Sequence, residues 1–142
     1  MVTLKAYLGI KYHADNRNRE VIERISEVLA GCEITILCVA RDLEKWGAVR
    51  LEPRDLMQQT FDLIDGCDLV VIELSEKGVG LGIEAGYAYA CKIPVITIAK
   101  RGREVSETLR GISSRVIFYE EVSDLVPIFR DLFQTLNQSV GA

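Results

Sequence analysis

The sequence lacks any hydrophobic run long enough to cross a bilayer, since its apolar stretches, such as 69–72 and 93–99, are short. The N-terminal segment MVTLKAYLGI alternates like a β-strand. It has neither the charged region, the long apolar run nor the small-residue cleavage site of a signal peptide. We therefore expect a cytoplasmic protein that has no membrane partner.

Patterns that bind metal ions are also scarce. His13 is the single histidine, and the four cysteines, Cys32, Cys38, Cys67 and Cys91, show no CxxC spacing. Because each cysteine lies in or beside an apolar stretch, we expect four buried, reduced thiols. Neither a structural zinc site nor another cofactor is expected.

The sequence also has no excess of basic residues over acidic ones. The formal net charge is −4 and the sequence pI is about 5.1, which argues against a nucleic-acid polymer as the ligand. A small anion remains compatible with this charge, because a few local donors suffice for one phosphate. With 142 residues, of which 49% are hydrophobic and 27% charged, the chain is expected to form one soluble domain over 1–142.

Apolar residues alternate between strand and helix periodicity along the whole chain. Strands are predicted over 2–9, 33–39, 68–74, 93–99 and 115–119, and helices over 16–30, 54–66, 83–91, 104–110 and 122–137. Asp15 or Asn16 is the predicted cap of the first helix, and Gly31 its end.

This alternation predicts an α/β fold: a doubly wound, roughly five-stranded parallel sheet with helices on both faces, similar to flavodoxin and Rossmann folds. Ligands bind beyond the carboxyl ends of such strands, near the point where the strand order reverses. The rule nominates the loops 9–15, 40–53 and 75–82.

The most informative segment follows the third predicted strand. Gly78, Gly80 and Gly82 lead into a helix, so that the backbone can approach a ligand closely there. Glu84 is expected in the first turn of that helix, where unpaired N–H groups attract anions. An acid at this position also has a purely structural interpretation, because it complements the helix dipole.

A dinucleotide fingerprint is a second interpretation, since Gly80-x-Gly82-x-x-Ala85 fits its loose form. However, the motif follows the third strand rather than the first. In addition, basic residues stand where an acidic residue would be expected about twenty positions later.

The segment from Gly78 to Ala88, Gly-Val-Gly-Leu-Gly-Ile-Glu-Ala-Gly-Tyr-Ala, resembles the signature of the nucleoside 2-deoxyribosyltransferase family. That family includes the 2′-deoxynucleoside 5′-monophosphate N-glycosidases. The preceding strand 68–74, Tyr7 on the first strand and the segment 113–115 also resemble the family, so the likeness spans nearly the whole chain.

The resemblance implies roles for three residues. Glu84 matches the nucleophile that attacks C1′ and forms a glycosyl-enzyme intermediate. Tyr7 resembles a tyrosine that orients this carboxylate, although ordinary core packing also explains an aromatic residue on a strand. Ser114 resembles a serine that reaches the substrate of a neighbouring subunit, although a simple turn serine is equally compatible. A homodimer or higher homo-oligomer is therefore implied.

The chain departs from the family pattern at two positions. The acid that helps to protonate the leaving base falls on Thr60, and a small shift in register would present Asp62 instead. The residue that recognises the 5′ end of the substrate falls on Gly78, where backbone N–H groups would hold a phosphate.

The first loop is basic and differs from the family as well. We expect the substrate to contact Gly9, Lys11 and His13. Candidate donors to a phosphate are Lys11, His13 and Arg17, although Lys11 and Arg17 are equally compatible with solvated charges. Trp46 and Tyr12 are candidates for stacking on the base.

The preferred hypothesis is an enzyme that hydrolyses the N-glycosidic bond of a nucleoside 5′-monophosphate, in either the ribose or the 2′-deoxyribose form. A carboxylate beside C1′ suits the oxocarbenium-like transition state of this reaction. A base-exchanging transferase and a non-catalytic nucleotide-binding module remain as alternatives. The expected partner is a small nucleoside or nucleotide.

Overall fold

The computed structural model describes residues 3–140 as strands and helices in alternation. The strands are β1 (Leu4–Ile10), β2 (Ile34–Leu37), β3 (Leu69–Glu73), β4 (Val95–Lys100) and β5 (Arg115–Tyr119). The α-helices are α1 (Arg19–Ala30), α2 (Pro53–Asp65), α3 (Val79–Ala90), α4 (Glu107–Ile112) and α5 (Val126–Val140). Val2, where the first strand was predicted to begin, lies outside the described residues.

All five strands are parallel and follow the order β2-β1-β3-β4-β5. The predicted doubly wound parallel sheet is therefore confirmed. The chain leaves β1 in one direction to form β2 and then returns to the other side of β1 to form β3. The strand order reverses between β1 and β3, and a ligand site is expected at the carboxyl end of this pair.

Successive side chains along each strand point to opposite faces of the sheet, so the strands contribute to two hydrophobic cores, one on each face. In β1, Leu4, Ala6 and Leu8 face the core that α1 and α5 cover, whereas Tyr7 faces the core beneath α2, α3 and α4. The apolar residues of α5 pack on the first core, where Phe129 is fully buried. The two-faced burial explains why β3 is apolar almost throughout.

Helix α1 begins at Arg19, later than predicted, and Asn18 rather than Asp15 or Asn16 precedes it. Asp15 instead accepts hydrogen bonds from the backbone and guanidinium of Arg17, while Asn16 adopts a φ of 54°. These local contacts hold 15–17 in a turn and delay the helix. Gly31 ends α1, as predicted.

Helix α3 begins at Val79, four residues earlier than predicted. Gly80 and Gly82 are thus part of the helix rather than of a loop, and Glu84 lies in its second turn rather than its first. Leu81, Ala85 and Ala88 are buried at helical spacing, so packing against the sheet outweighs the low helix propensity of glycine.

The connection from β2 to α2 is irregular. A π-type turn covers Val39–Leu43 and a 3₁₀ turn covers Lys45–Gly47. Lys45, Trp46 and Gly47 all have positive φ angles, of 48°, 57° and 97°. A left-handed conformation costs a non-glycine residue about 1 kcal/mol, so tertiary contacts must hold this segment in place.

The cysteine prediction is right for three residues and wrong for the fourth. Cys32, Cys38 and Cys67 are buried free thiols, whereas Cys91 is exposed. Cys91 follows α3 directly, beyond the last buried residue of that helix, Ala88. None of the helices within residues 3–140 is long and apolar enough to cross a membrane.

Candidate active site

A cavity of about 690 Å³ opens at the carboxyl edge of the sheet. The end of β1, the loops that follow β1 and β2, and residues of α2 and α3 form its walls. Two of the three loops nominated from the sequence therefore line it. The third, 75–82, contributes only Gly80.

Tyr7 and Glu84 meet in the wall of this cavity. The Tyr7 hydroxyl donates a 2.7 Å hydrogen bond to Glu84 Oε1, which joins β1 to α3 across 77 positions of sequence. Tyr7 is only 1% exposed. Its burial, together with the charge and the hydrogen bond of Glu84, raises the pKa of Tyr7 well above its usual value. Tyr7 therefore stays neutral and remains a donor.

The second carboxyl oxygen of Glu84 is buried and has no hydrogen-bond partner among the described residues. Burial raises the pKa of Glu84 to about 7, and the Tyr7 hydrogen bond opposes that rise. The sequence had predicted the opposite, a carboxylate whose ionisation the start of a helix favours. That expectation was wrong, because Glu84 lies beyond the first turn of α3 and desolvation dominates.

Gly9 permits the close approach of β1 to Glu84. A Cβ atom at position 9 would lie 2.6 Å from Glu84 Oε2 and 2.9 Å from Ile72 Cδ1. Any other residue would thus occupy the space of the carboxyl group. The contribution of Gly9 to the site is the absence of a side chain beside Glu84.

Thr60 lines the cavity, but Asp62 does not. The buried Thr60 hydroxyl donates a 2.7 Å hydrogen bond to the Leu56 carbonyl oxygen of its own helix. Asp62 is exposed and accepts a hydrogen bond from Gln58. A step of two residues along a helix rotates the side chain by about 200° around the helix axis. Asp62 therefore faces solvent on α2, and the prediction that it supplies the acid requires correction.

Lys11 is the cation that lies nearest the position of the predicted 5′ recognition residue. It lines the cavity, and its side chain crosses over Gly78. A Cβ atom on Gly78 would lie 3.1 Å from Lys11 Cδ and 3.5 Å from Lys11 Nζ. The Lys11 side chain thus occupies the space that a side chain at position 78 would take.

The other residues of the first loop have different surroundings. His13 lines the cavity and pairs with Glu76 at 2.7 Å. Tyr12 also lines it and is 65% exposed. Arg17 pairs with Asp15 and borders a smaller neighbouring cavity instead.

Five predicted substrate-binding residues do not line the large cavity: Gly9 and Gly78 adjoin the lining residues Glu84 and Lys11, and three others lie away from it. Trp46 packs against the core under α1, with the Arg19 guanidinium 4.6 Å from its ring centroid; the expectation that it stacks on a base therefore needs correction. Gly82 is exposed on α3. Ser114 is exposed just before β5, at the amino edge of the sheet, so any contact with a substrate requires a second copy of the chain.

Two charged residues of the cavity wall were not singled out from the sequence. Glu44 and Arg50 lie in the loop 40–53 and line the cavity. The loop was nominated, but it also holds Asp42, whose carboxylate instead accepts a hydrogen bond from the Cys38 backbone N–H at 2.8 Å. Only the three-dimensional course of the loop distinguishes these acids. Within residues 3–140, no group of three His, Cys, Asp or Glu side chains is placed to hold a metal ion.

The raised pKa of Glu84 predicts a stability effect of Glu84→Gln. Between about pH 4.5 and about pH 7, Glu84 keeps its proton in the folded protein but has released it in the unfolded chain. The free energy of unfolding therefore falls as the pH rises through this window. Glutamine mimics the protonated acid and removes this loss. We expect the variant to gain up to about 3 kcal/mol over the natural protein at about pH 8 and little at about pH 4.

Urea unfolding at both pH values measures this difference. Glu104→Gln, which removes the same charge from an exposed residue, is the control and should show no such dependence. An equal effect of both substitutions would contradict the burial of the Glu84 charge.

Comparison with known proteins identifies the family. The family model of nucleoside 2-deoxyribosyltransferase matches residues 6–125. A protein of Thermofilum pendens, named as a 2′-deoxynucleoside 5′-phosphate N-hydrolase, is 26% identical over 133 residues, which cover 87% of this chain and 90% of that protein.

Two solved structures share the fold. The 2-deoxyribosyltransferase of Bacillus psychrosaccharolyticus superposes with a TM-score of 0.68 at 14% identity, covering 86% of this chain and 90% of that one. The CMP N-glycosidase BcmB of Clostridium botulinum superposes with a TM-score of 0.63 at 20% identity, covering 91% and 98%. Because the family model spans most of the sequence and its parallel sheet, this chain belongs to the nucleoside 2-deoxyribosyltransferase family and is an enzyme of its N-hydrolase or deoxyribosyltransferase class.

Proposed function

We propose that this enzyme hydrolyses the N-glycosidic bond of a nucleoside 5′-monophosphate, with Glu84 as the nucleophile. The observation that carries this proposal is the carboxyl group of Glu84, which lines a substrate-sized cavity with one oxygen held by Tyr7 and the other without a partner. A buried polar atom without a partner costs about 1–3 kcal/mol. Such a cost is typical of a functional site.

The chemistry follows from this position. The ionised carboxylate of Glu84 attacks C1′ of the sugar, the bond from C1′ to the base nitrogen breaks, and the base leaves with the electron pair and takes up a proton. Water then attacks C1′, gives its proton to solvent and releases Glu84. This is the two-step scheme of a retaining glycosidase. Tyr7 is the positioning residue, because its hydroxyl fixes the orientation of the carboxylate.

Lys11 supports a phosphate at the 5′ end of the substrate. Its ammonium group occupies the place beside Gly78 where the family resemblance puts the 5′ recognition residue. Arg50 adds a further donor to the same cavity, which His13 also lines. A cation in this place favours a dianionic phosphate over a neutral 5′-hydroxyl group.

A panel of nucleosides and their 5′-monophosphates tests the reaction. We expect release of free base and sugar phosphate from monophosphates in water alone, and a loss of at least about 10³-fold in kcat for Glu84→Ala. Turnover should increase with pH as Glu84 ionises, with a midpoint near its pKa of about 7.

Chromatography of the products separates the alternatives. Base that appears only when a second free base is supplied would favour the transferase. Binding of nucleotides with no turnover of any substrate would favour a non-catalytic module.

Gly9→Ala tests the close approach of β1 to the carboxyl group. The new methyl group would meet Glu84 Oε2 at 2.6 Å, so the carboxylate must move. We expect a loss of about 100-fold in kcat/KM, because a displacement of about 1 Å has this effect on a positioned group. The measurement is steady-state release of base, with folding checked by circular dichroism.

Gly86→Ala is the matched control, because its added methyl group on α3 meets nothing within 4 Å. Equal activities of the two folded alanine variants would contradict the role given to Gly9.

Lys11→Met tests the phosphate contact. Loss of one charge-assisted hydrogen bond should lower kcat/KM for a monophosphate by about 10- to 100-fold and leave the value for the parent nucleoside nearly unchanged. Lys77→Met is the control, since Lys77 is exposed and does not line the cavity. A uniform decrease on both substrates would show that Lys11 acts on something other than the phosphate.

A further inference from the structure

Glu44 is the second carboxyl group of the cavity. Among the residues that line it, Glu44 and Glu84 are the two that carry a carboxyl group. The carboxyl of Glu84 is engaged by Tyr7. That of Glu44 is half-buried and has no hydrogen bond or ion pair within the described part of the chain. Burial raises the pKa of Glu44, which reflects the missing partner.

The backbone of Glu44 is held from both sides. Its N–H donates a 2.9 Å hydrogen bond to the Val39 carbonyl oxygen, and its own carbonyl oxygen accepts from the N–H groups of Gly47 and Val49 at 2.9 and 3.0 Å. These bonds close the turns on each side of residue 44. The carboxyl group is therefore presented from a fixed point of the cavity wall.

The strained residues that follow Glu44 are anchored to the body of the protein. Lys45 and Trp46 adopt left-handed backbone conformations, and Trp46 packs on the core beneath the Arg19 guanidinium. Asn16 Nδ2 donates a 3.1 Å hydrogen bond to the Trp46 carbonyl oxygen. Local strain that the surrounding structure maintains is characteristic of functional sites, and here it directly adjoins the free carboxyl group.

The other residues that line the cavity indicate which kind of ligand group the Glu44 carboxyl contacts. Apolar side chains of Val39, Leu51, Leu56 and Met57 line the same cavity, and such surfaces suit the flat faces of a nucleobase. An ionised carboxylate can only accept hydrogen bonds. Cytosine and adenine carry an exocyclic amino donor at the position where uracil and hypoxanthine carry a carbonyl oxygen, and guanine carries its exocyclic amino group at C2.

We infer that Glu44 determines base specificity: its carboxylate accepts a hydrogen bond from the exocyclic amino group, so that the substrates are nucleotides of an amino-bearing base. This inference rests on the proposed function and adds the class of base to it. A carbonyl oxygen at the same place would face an unpaired acceptor, and a site built for one hydrogen-bonding group discriminates strongly against the analogue that lacks it.

The test compares cytidine with uridine 5′-monophosphate and adenosine with inosine 5′-monophosphate, each in its ribose and 2′-deoxy form. The natural enzyme should favour the amino base of each pair by about 10- to 100-fold in kcat/KM. In Glu44→Gln, the amide can also donate to a carbonyl, so we expect this ratio to fall towards one, mainly because the carbonyl base gains. Glu52→Gln, an exposed change near the same loop that lies off the cavity, should keep the natural ratio.

Failure of the inference is distinguishable from failure of the proposed function. Turnover with equal rates for both bases of each pair, or an unchanged ratio in a folded Glu44→Gln variant, would overturn the role of Glu44 and leave the hydrolase intact. If no nucleotide is turned over, calorimetric affinities of the same nucleotides decide. A preference for the amino base that Glu44→Gln abolishes supports the role of Glu44, and equal affinities reject it.

Discussion

The site depends on one buried hydrogen bond, from the Tyr7 hydroxyl to Glu84 Oε1. It joins the strand at the centre of the strand-order reversal to the helix that follows its neighbour β3. The register between β1 and β3, in which Tyr7 lies beside Val70 and Gly9 beside Ile72, sets the height of the tyrosine. The missing side chain at Gly9 sets how closely Glu84 can approach. A carboxyl group fixed in this way would need no reorganisation before the attack that we propose for Glu84.

The same arrangement explains why Glu84 has unusual acidity. Tyr7 offers it one hydrogen bond, and the second oxygen finds none among the described residues. Burial therefore decides the direction of the shift, and the pKa of Glu84 rises to about 7. A better-solvated carboxylate would cost the folded protein less stability, but it would be a weaker nucleophile for the reaction that we propose. Under that proposal, the cost in stability is coupled to the reactivity of Glu84.

Another part of the cavity wall is built on a different principle. No regular element presents Glu44; two irregular turns do so, and Trp46 anchors them to the core under α1. Lys11 reaches the cavity from a third segment and fills the space beside Gly78. Two connections at one edge of the sheet thus supply Lys11 and Glu44, and helix α3 supplies Glu84, the proposed nucleophile. Loops on a rigid parallel sheet commonly divide such tasks.

The sequence by itself determined the architecture and nominated Glu84 as the acid of the site. Strand and helix periodicity gave the parallel sheet, since each β-strand must bury one or both of its faces. The glycine-rich segment before Glu84 indicated the family. Local pattern failed where long-range packing competes with propensity: burial of Leu81 extended α3 backwards over its glycines, and the turn at Asp15 delayed α1.

Only the tertiary structure decided the surroundings of each side chain. Tyr7 and Glu84 are 77 positions apart; the family resemblance suggested that they meet, but no spacing rule links them. Asp62 and Thr60 are neighbours in sequence, yet the helical rotation between them directs one to solvent and the other to the cavity. Asp42 and Glu44 look alike in the sequence, but one supports the backbone of its loop and the other lines the cavity. Burial and hydrogen bonding set the direction of a pKa shift and decide whether a charged group is free to bind a ligand. Both depend on segments that are distant in the chain.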